Sequence, residues 1–177
     1  MSTTPVIETE RLVLRPPRME DAAAVFESYA RDVEATKYLT FKPNQTLAEI
    51  EEFMRARLRK MEEGAVFTWA ITRRGEDRLR GMIELRPNGF KADFGYVLAR
   101  EFWGQGLMTE ALRAVLDFAF ALPGMYRVWA VCDVENVGSA RVMEKAGLNF
   151  EGILRRHTIH PNVSPEPRDV RCYAQTR

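Results

Sequence analysis

Cysteine is scarce: Cys132 and Cys172 are the two in a chain of 177 residues. Two thiols so far apart build no disulfide framework and match no metal-site spacing. Apolar runs long enough to span a bilayer are missing. The opening MSTTPVIETERL lacks the basic-then-apolar pattern of a secretory signal. Excess charge of either sign is missing too. With 26 Lys and Arg against 25 Asp and Glu, the net charge is +1, and no global field argues for nucleic acid or an anionic membrane. No repeat, linker or low-complexity stretch interrupts the chain. These absences predict a cytoplasmic protein with no metal, no nucleic-acid partner and no membrane association. What is present, 46% hydrophobic and 29% charged residues, is a globular composition. The length predicts one domain over 1–177 with a sizeable core.

The chain is organised around the stretch from Phe94 to Leu122. An apolar run, Phe94 to Leu98, reads as a strand. A glycine turn, Trp103-Gly104-Gln105-Gly106, opens directly into a helix whose Leu112, Val115, Leu116 and Ala119 recur at helical spacing. A helix start carries unpaired N–H donors and partial positive charge, and glycine lets an anion approach them. The turn therefore reads either as a pyrophosphate cradle or as a tight turn that needs glycine. No Lys-Ser/Thr follows the glycines, which excludes a nucleoside-triphosphate loop. Thr109 holds the place of the third glycine in the dinucleotide fingerprint, which excludes that loop as well.

Around this stretch, strands are expected at Thr9–Arg15, Ala65–Thr72, Leu79–Arg86, Phe90–Leu98, Tyr126–Cys132, Phe150–Arg156 and Arg168–Ala174. Asn88-Gly89 supplies a hairpin turn, and Tyr126–Cys132, nearly all apolar, is expected to be covered on both faces. Helices are expected at Asp21–Tyr29 and at Asn136–Ala146, the latter capped by Asn136 and ended by Gly147. A third begins at the capping box Thr46-x-x-Glu49 and runs to Glu63, with Leu47, Ile50, Met54, Leu58 and Met61 inward and Gly64 as its stop. The fold class is α/β: one mixed central sheet with helices on both faces.

The loop Trp103-Gly104-Gln105-Gly106-Leu107-Met108 resembles the acyl-CoA loop of the GNAT N-acetyltransferases, Q/R-x-x-G-x-G/A, with Trp103 and Met108 departing at its ends. In its form W-G-x-G-x-x-T-E-A it is similar to the RimJ/RimL branch. About thirty residues on, Asn136 to Leu148 (NVGSARVMEKAGL) is similar to a second segment of the same family, N-x-x-S/A-…-E-K-x-G-F. The resemblance runs from Arg11 to the C-terminus. It implies a mostly antiparallel sheet and acetyl-CoA as co-substrate. It also implies CoA contacts by Gly104, Gln105, Gly106, Leu107, Met108, Thr109 and Asn136. Two neighbouring strands part in that fold and expose N–H groups, here around Val97 and Leu98. Many members carry a tyrosine seven residues after the Asn as proton donor to the leaving thiolate. Here that place is Met143, which has no proton to give. Ser139 resembles the branch's substitute donor, although a serine there also serves as a helix-start hydrogen-bonder. Cys132 lies where the branch can also carry a cysteine; as a residue it reads as strand-end packing.

Acyl transfer to an amine must deprotonate the amine, stabilise an oxyanion and protonate a thiolate. Glu84, Asp93 and Glu101 are the carboxylates near central strands. Glu84, between apolar neighbours, is the candidate base, or else an outward-facing strand residue. Asp93 is expected in solvent. An α-amine near pKa ~8 needs less help than a lysine near ~10.4. The acceptors in order are a protein N-terminal α-amine, a small amine (antibiotic, polyamine or amino acid) and a lysine side chain. Tyr38 and Phe41 are pocket candidates. The segment Arg155-Arg156-His157-Thr158-Ile159-His160-Pro161-Asn162 is either a loop at the acceptor mouth or, preferred, a solvated or dimer-contacting hairpin, and a homodimer is an open expectation. The rival to an enzyme is a CoA-binding module that has lost catalysis.

Overall fold

The computed structural model describes residues 4–42 and 46–177; the first three residues of the opening segment lie outside the described residues. The strands are β1 (Ile7–Glu8), β2 (Leu12–Arg15), β3 (Phe67–Arg73), β4 (Gly81–Asn88), β5 (Lys91–Leu98), β6 (Arg127–Asp133), β7 (Asn149–Thr158) and β8 (Arg168–Thr176). They form one sheet in the order β1-β2-β3-β4-β5-β6-β8-β7. Every pairing is antiparallel except β5 with β6. That is the mostly antiparallel mixed sheet expected.

Alternation along the central strands feeds two cores. Trp69, Ile71, Ile83 and Leu85 face α4 (Leu107–Ala121), whose Ala111, Leu112, Val115 and Ala119 are fully buried. Ala70 and Met82 face the other way, toward α1 (Ala22–Val25) and α3 (Leu47–Glu62), and pack with Val25, Ile50 and Met54. Helices thus cover both faces, as the apolar stripes predict. α2 (Val33–Thr36) and α5 (Val137–Ala146) complete the set.

Four local expectations are corrected. The helix over Asp21–Tyr29 is composite: a 3-10 turn at Met19–Asp21, then α1, then a π turn at Phe26–Ala30. The wider π turn brings both Tyr29 and Ala30 into the core. Asp21 is held at the start by a buried two-point ion pair with Arg15, at 2.8 and 2.7 Å. α3 has the expected capping box but buries only Ile50 and Met54 of its predicted face, and Leu47 is exposed. The β4–β5 hairpin turns on Gly89-Phe90, not Asn88-Gly89, because Asn88 pairs with Lys91 and Gly89 takes the left-handed first position at φ +61°. Finally, β6 is not covered evenly. Val128, Ala130 and Cys132 are buried on the α4 face, whereas Trp129 and Val131 point to the opposite face, line a cavity there and are half-buried.

Candidate active site

The sheet opens between β5 and β6. Their register holds only at Lys91–Arg127, Ala92–Val128 and Asp93–Trp129, yet β5 runs on to Leu98 and β6 to Asp133. Past Asp93 the two strands pair only with their outer neighbours. Parity then decides which amides face the gap. Phe90 C=O accepts from β6, and Ala99 N–H donates to Arg80 O on the β4 side. Alternate residues point opposite ways, so Tyr96 and Leu98 turn their N–H groups to the gap and Val97 turns toward β4. The amides turned to the gap are thus those of Leu98 and Tyr96, where the sequence pointed to Val97 and Leu98. Two exposed backbone donors on a strand with no neighbour call for a partner.

At the end of β5 stands the glycine turn. Gly104 and Gly106 both adopt left-handed conformations, at φ +73° and +76°, which an L side chain adopts only with strain. Gly106 is the N-cap of α4, and no side chain caps this helix among the described residues. The first-turn amides of Leu107, Met108 and Thr109 are free for an anion. Distant residues hold the turn. The Trp103 indole donates to Leu98 O at 2.8 Å, so the family departure at this place fastens the turn to the strand end. Arg11 donates to Gln105 O at 2.9 Å and to Glu110 at 2.6 Å, and Thr9 Oγ1 donates to the same carboxylate at 2.6 Å. Burial works to raise the Glu110 carboxyl, but these donors hold it below its ordinary value. The Gln105 side chain turns back and donates through Nε2 to Glu101 O at 2.9 Å.

Across the gap, α5 begins with Asn136, whose side chain accepts from Ser139 N–H at 3.1 Å. Met143 is core, 1% exposed. Sequence reading passed over Tyr96, whose hydroxyl reaches across from the sheet to lie 2.8 Å from Ser139 Oγ and 3.2 Å from Ser139 O. Tyr96 stood within the FGYVL run, where strand pattern alone gave no reason to single it out. Burial raises its phenol above the ordinary value. Burial also pushes the Cys132 thiol up to about 11, so it is a neutral thiol rather than a nucleophile.

A cavity of about 860 Å³ joins these groups to a second half, on the side of α1 and α3. Tyr38 and Phe41 line it, as proposed from sequence. Glu84 faces it and is 7% exposed, which removes the outward-facing alternative. Its carboxylate is engaged by Arg57, by Arg86 at 2.9 Å and by Thr68 Oγ1 at 3.1 Å. Asp93 is not left to solvent: it pairs with Arg86 through Nε at 2.6 Å. Glu101 sits on a 3-10 turn with its side chain 65% exposed and reaches Arg80 at 3.7 Å. It lies off the cavity wall.

The segment Arg155–Asn162, which spans the end of β7 and the loop after it, is divided. Arg155, Arg156 and His157 are exposed, as the solvated reading predicts. His160 is instead 4% exposed and lines the cavity. The Asn162 side chain donates to Thr36 O and Phe41 O, fixing this loop to the wall that carries Tyr38. Among the described residues neither His160 ring nitrogen reaches a hydrogen-bond partner in good geometry, and Asp133 Oδ2 stands 3.8 Å from Nε2. Burial pushes this imidazole below its ordinary value. No helix among the described residues is long and apolar enough to cross a membrane.

Residues 11–149 match the family model described as Acetyltransferase (GNAT) domain. The chain is 28% identical to the uncharacterized N-acetyltransferase YoaA of Bacillus subtilis over 98% of each chain. Its structure superposes on a GNAT-family acetyltransferase from Bacillus anthracis with TM-score 0.84 and 27% identity, covering 97% of this chain and 98% of the other. It also superposes on RimL, a ribosomal L7/L12 α-N-protein acetyltransferase in complex with coenzyme A, with TM-score 0.86 and 19% identity, over 97% and 98% of the two chains.

Proposed function

The chain belongs to the GNAT family and is an acetyl-CoA-dependent N-acetyltransferase; from that premise we propose that its acceptor is a protein N-terminal α-amine, which attacks the thioester directly in a ternary complex. The carrying observation is the parting of β5 from β6 beside an uncapped helix start. Free strand amides suit the amide-bearing arm of acetyl-CoA and the thioester oxygen. A helix start flanked by left-handed glycines suits its pyrophosphate. We assign the pyrophosphate to the backbone of Gly104, Gln105, Gly106, Leu107, Met108 and Thr109. The Leu98 and Tyr96 amides face the acyl group, and Asn136 and Ser139 form the opposite wall. In this reading the backbone donors serve to stabilise the negative charge that develops as the amine adds to the carbonyl.

The state of Glu84 supports the choice of acceptor. Its oxygens already accept from Arg57, Arg86 and Thr68, so it takes the amine proton through a water rather than by direct contact. That arrangement suits an amine of pKa ~8, already about a tenth neutral at pH 7, better than a lysine near ~10.4. RimL, a structural neighbour that acts on an N-terminal α-amine, adds support. Thiol release from acetyl-CoA across peptides with a free α-amine, amino acids, polyamines and Nα-blocked lysine peptides tests this. The expected outcome is kcat/KM about 10²-fold higher for free N-termini than for blocked lysine peptides, in line with the difference in neutral fraction. Preference for a polyamine or a blocked lysine peptide would overturn it.

A further inference from the structure

The departing thiolate needs a proton, and the position where many relatives keep a tyrosine holds a buried methionine here. Ser139 alone is poorly matched to the task. An aliphatic hydroxyl is a far weaker acid than a phenol near pKa ~10, and a free thiol titrates near ~8.5. The Tyr96 phenol oxygen lies 2.8 Å from Ser139 Oγ, a hydrogen bond in which either hydroxyl can donate. Tyr96 and Ser139 lie on opposite sides of the gap, one on the free-amide stretch of β5 and the other in the first turn of α5, and both line the cavity. Phe94 stacks on the Tyr96 ring at 6.1 Å between centroids, so the hydroxyl is aimed by packing as well as by its bond. Tyr96 is also the residue whose own N–H faces the gap.

We propose that Tyr96 supplies the leaving-group proton through Ser139, as a positioning and relay residue supplied by the sheet in place of the missing helix tyrosine. The inference rests on the acetyl-transfer reading above. In the step, the neutral amine forms the C–N bond and the C–S bond breaks, its electron pair leaving with sulfur. The Ser139 hydroxyl proton passes to sulfur, making the free thiol. Ser139 Oγ takes the Tyr96 proton in the same motion. The phenol recovers a proton from water as the new amide nitrogen releases one to water, so the pair returns to its starting state. Burial keeps the phenol protonated between turnovers and drives the tyrosinate left by the transfer to take its proton back from water.

The test compares wild type, Tyr96→Phe, Ser139→Ala and the double variant on the best amine of the panel, with acetyl-CoA affinity and thermal midpoints in parallel. Each single variant is expected to lower kcat about 10²-fold with little change in the KM for acetyl-CoA, within the usual range for one proton-transfer group. The double variant should be no worse than the worse single one, since residues acting as one unit are not additive. In mixtures of light and heavy water, wild type should show a curved rate dependence, for two protons in motion, and Tyr96→Phe a smaller, linear one. Three results would each overturn the relay: a Tyr96→Phe enzyme within about twofold of wild type, fully additive losses, or an unchanged isotope response. Failure of the wild-type chain itself to turn over any amine would be a distinct result, overturning the acetyl-transfer reading and the relay with it.

Discussion

The two halves of the cavity are built from different materials. The half beside α4 and α5 is mostly backbone: amides of Tyr96 and Leu98, two left-handed glycines, and the uncapped start of a helix. The half beside α1 and α3 is mostly side chains from distant parts of the chain, with Tyr38, Arg57, Glu84 and His160 meeting there. Backbone donors present one fixed pattern to one ligand, whatever residues carry them. Side chains can be exchanged without disturbing the sheet. The first half is therefore suited to an invariant co-substrate, and the second to a particular acceptor. The same division governs what mutation should do.

The sharpest break is expected at Glu84→Gln. It keeps the shape but takes the counter-charge from Arg57, whose side chain is only 21% exposed. Leaving such a guanidinium unpaired costs about 3 kcal/mol of stability, to be read from urea unfolding midpoints. Because the proton acceptor is lost, kcat should fall and acceptor KM rise, while acetyl-CoA affinity stays put. A change in acetyl-CoA affinity as well would mean that the halves are coupled. Next is Gly106→Ala, aimed at the backbone half. An added Cβ would meet nothing closer than an Arg11 nitrogen at 3.6 Å, so crowding is slight. The left-handed conformation still costs about 1–2 kcal/mol. If the helix start is the pyrophosphate site, acetyl-CoA KM should rise by about tenfold or more, with acceptor KM unaltered. Unchanged acetyl-CoA affinity would return the glycines to the status of a tight turn.

The smallest effect expected concerns His160. Its folded ring favours the neutral form because it is buried, with Asp133 and Arg168 the charged groups that act on it and Tyr38 packed edge-on against it. The unfolded ring, near ~6.5, takes up a proton that the folded ring refuses. Stability should therefore fall as pH drops through 6.5 toward the lower folded value, and be unaffected well above it. His160→Gln should flatten the difference between unfolding midpoints measured at pH 5.5 and pH 7.5. An unchanged slope would mean that the cavity accepts the imidazolium.

Much of the first half was legible in the residue order because it is local. A glycine turn entering an amphipathic helix, and an Asn-started helix ending at Gly147, are patterns within a few residues of each other, and the structure repeats both. The Met143 departure was also visible in sequence. The Tyr96 hydroxyl that reaches Ser139 was not, since the two are separated by 43 positions and nothing local links them. Nor could periodicity place His160. It sits in a polar loop that reads as solvated until Asn162 ties it to Thr36 and Phe41.

Residue order alone determined the strands and most helices, the two-faced α/β sheet, the glycine turn at the helix start and the family, because hydrophobic period, glycine and capping side chains act over short range. Only tertiary structure decided that β5 and β6 part after Asp93, that Leu98 and Tyr96 rather than Val97 face the gap, and that Glu84 is clamped between guanidiniums. Those outcomes depend on strand register and on packing between segments far apart in the chain, which no local pattern of residues encodes.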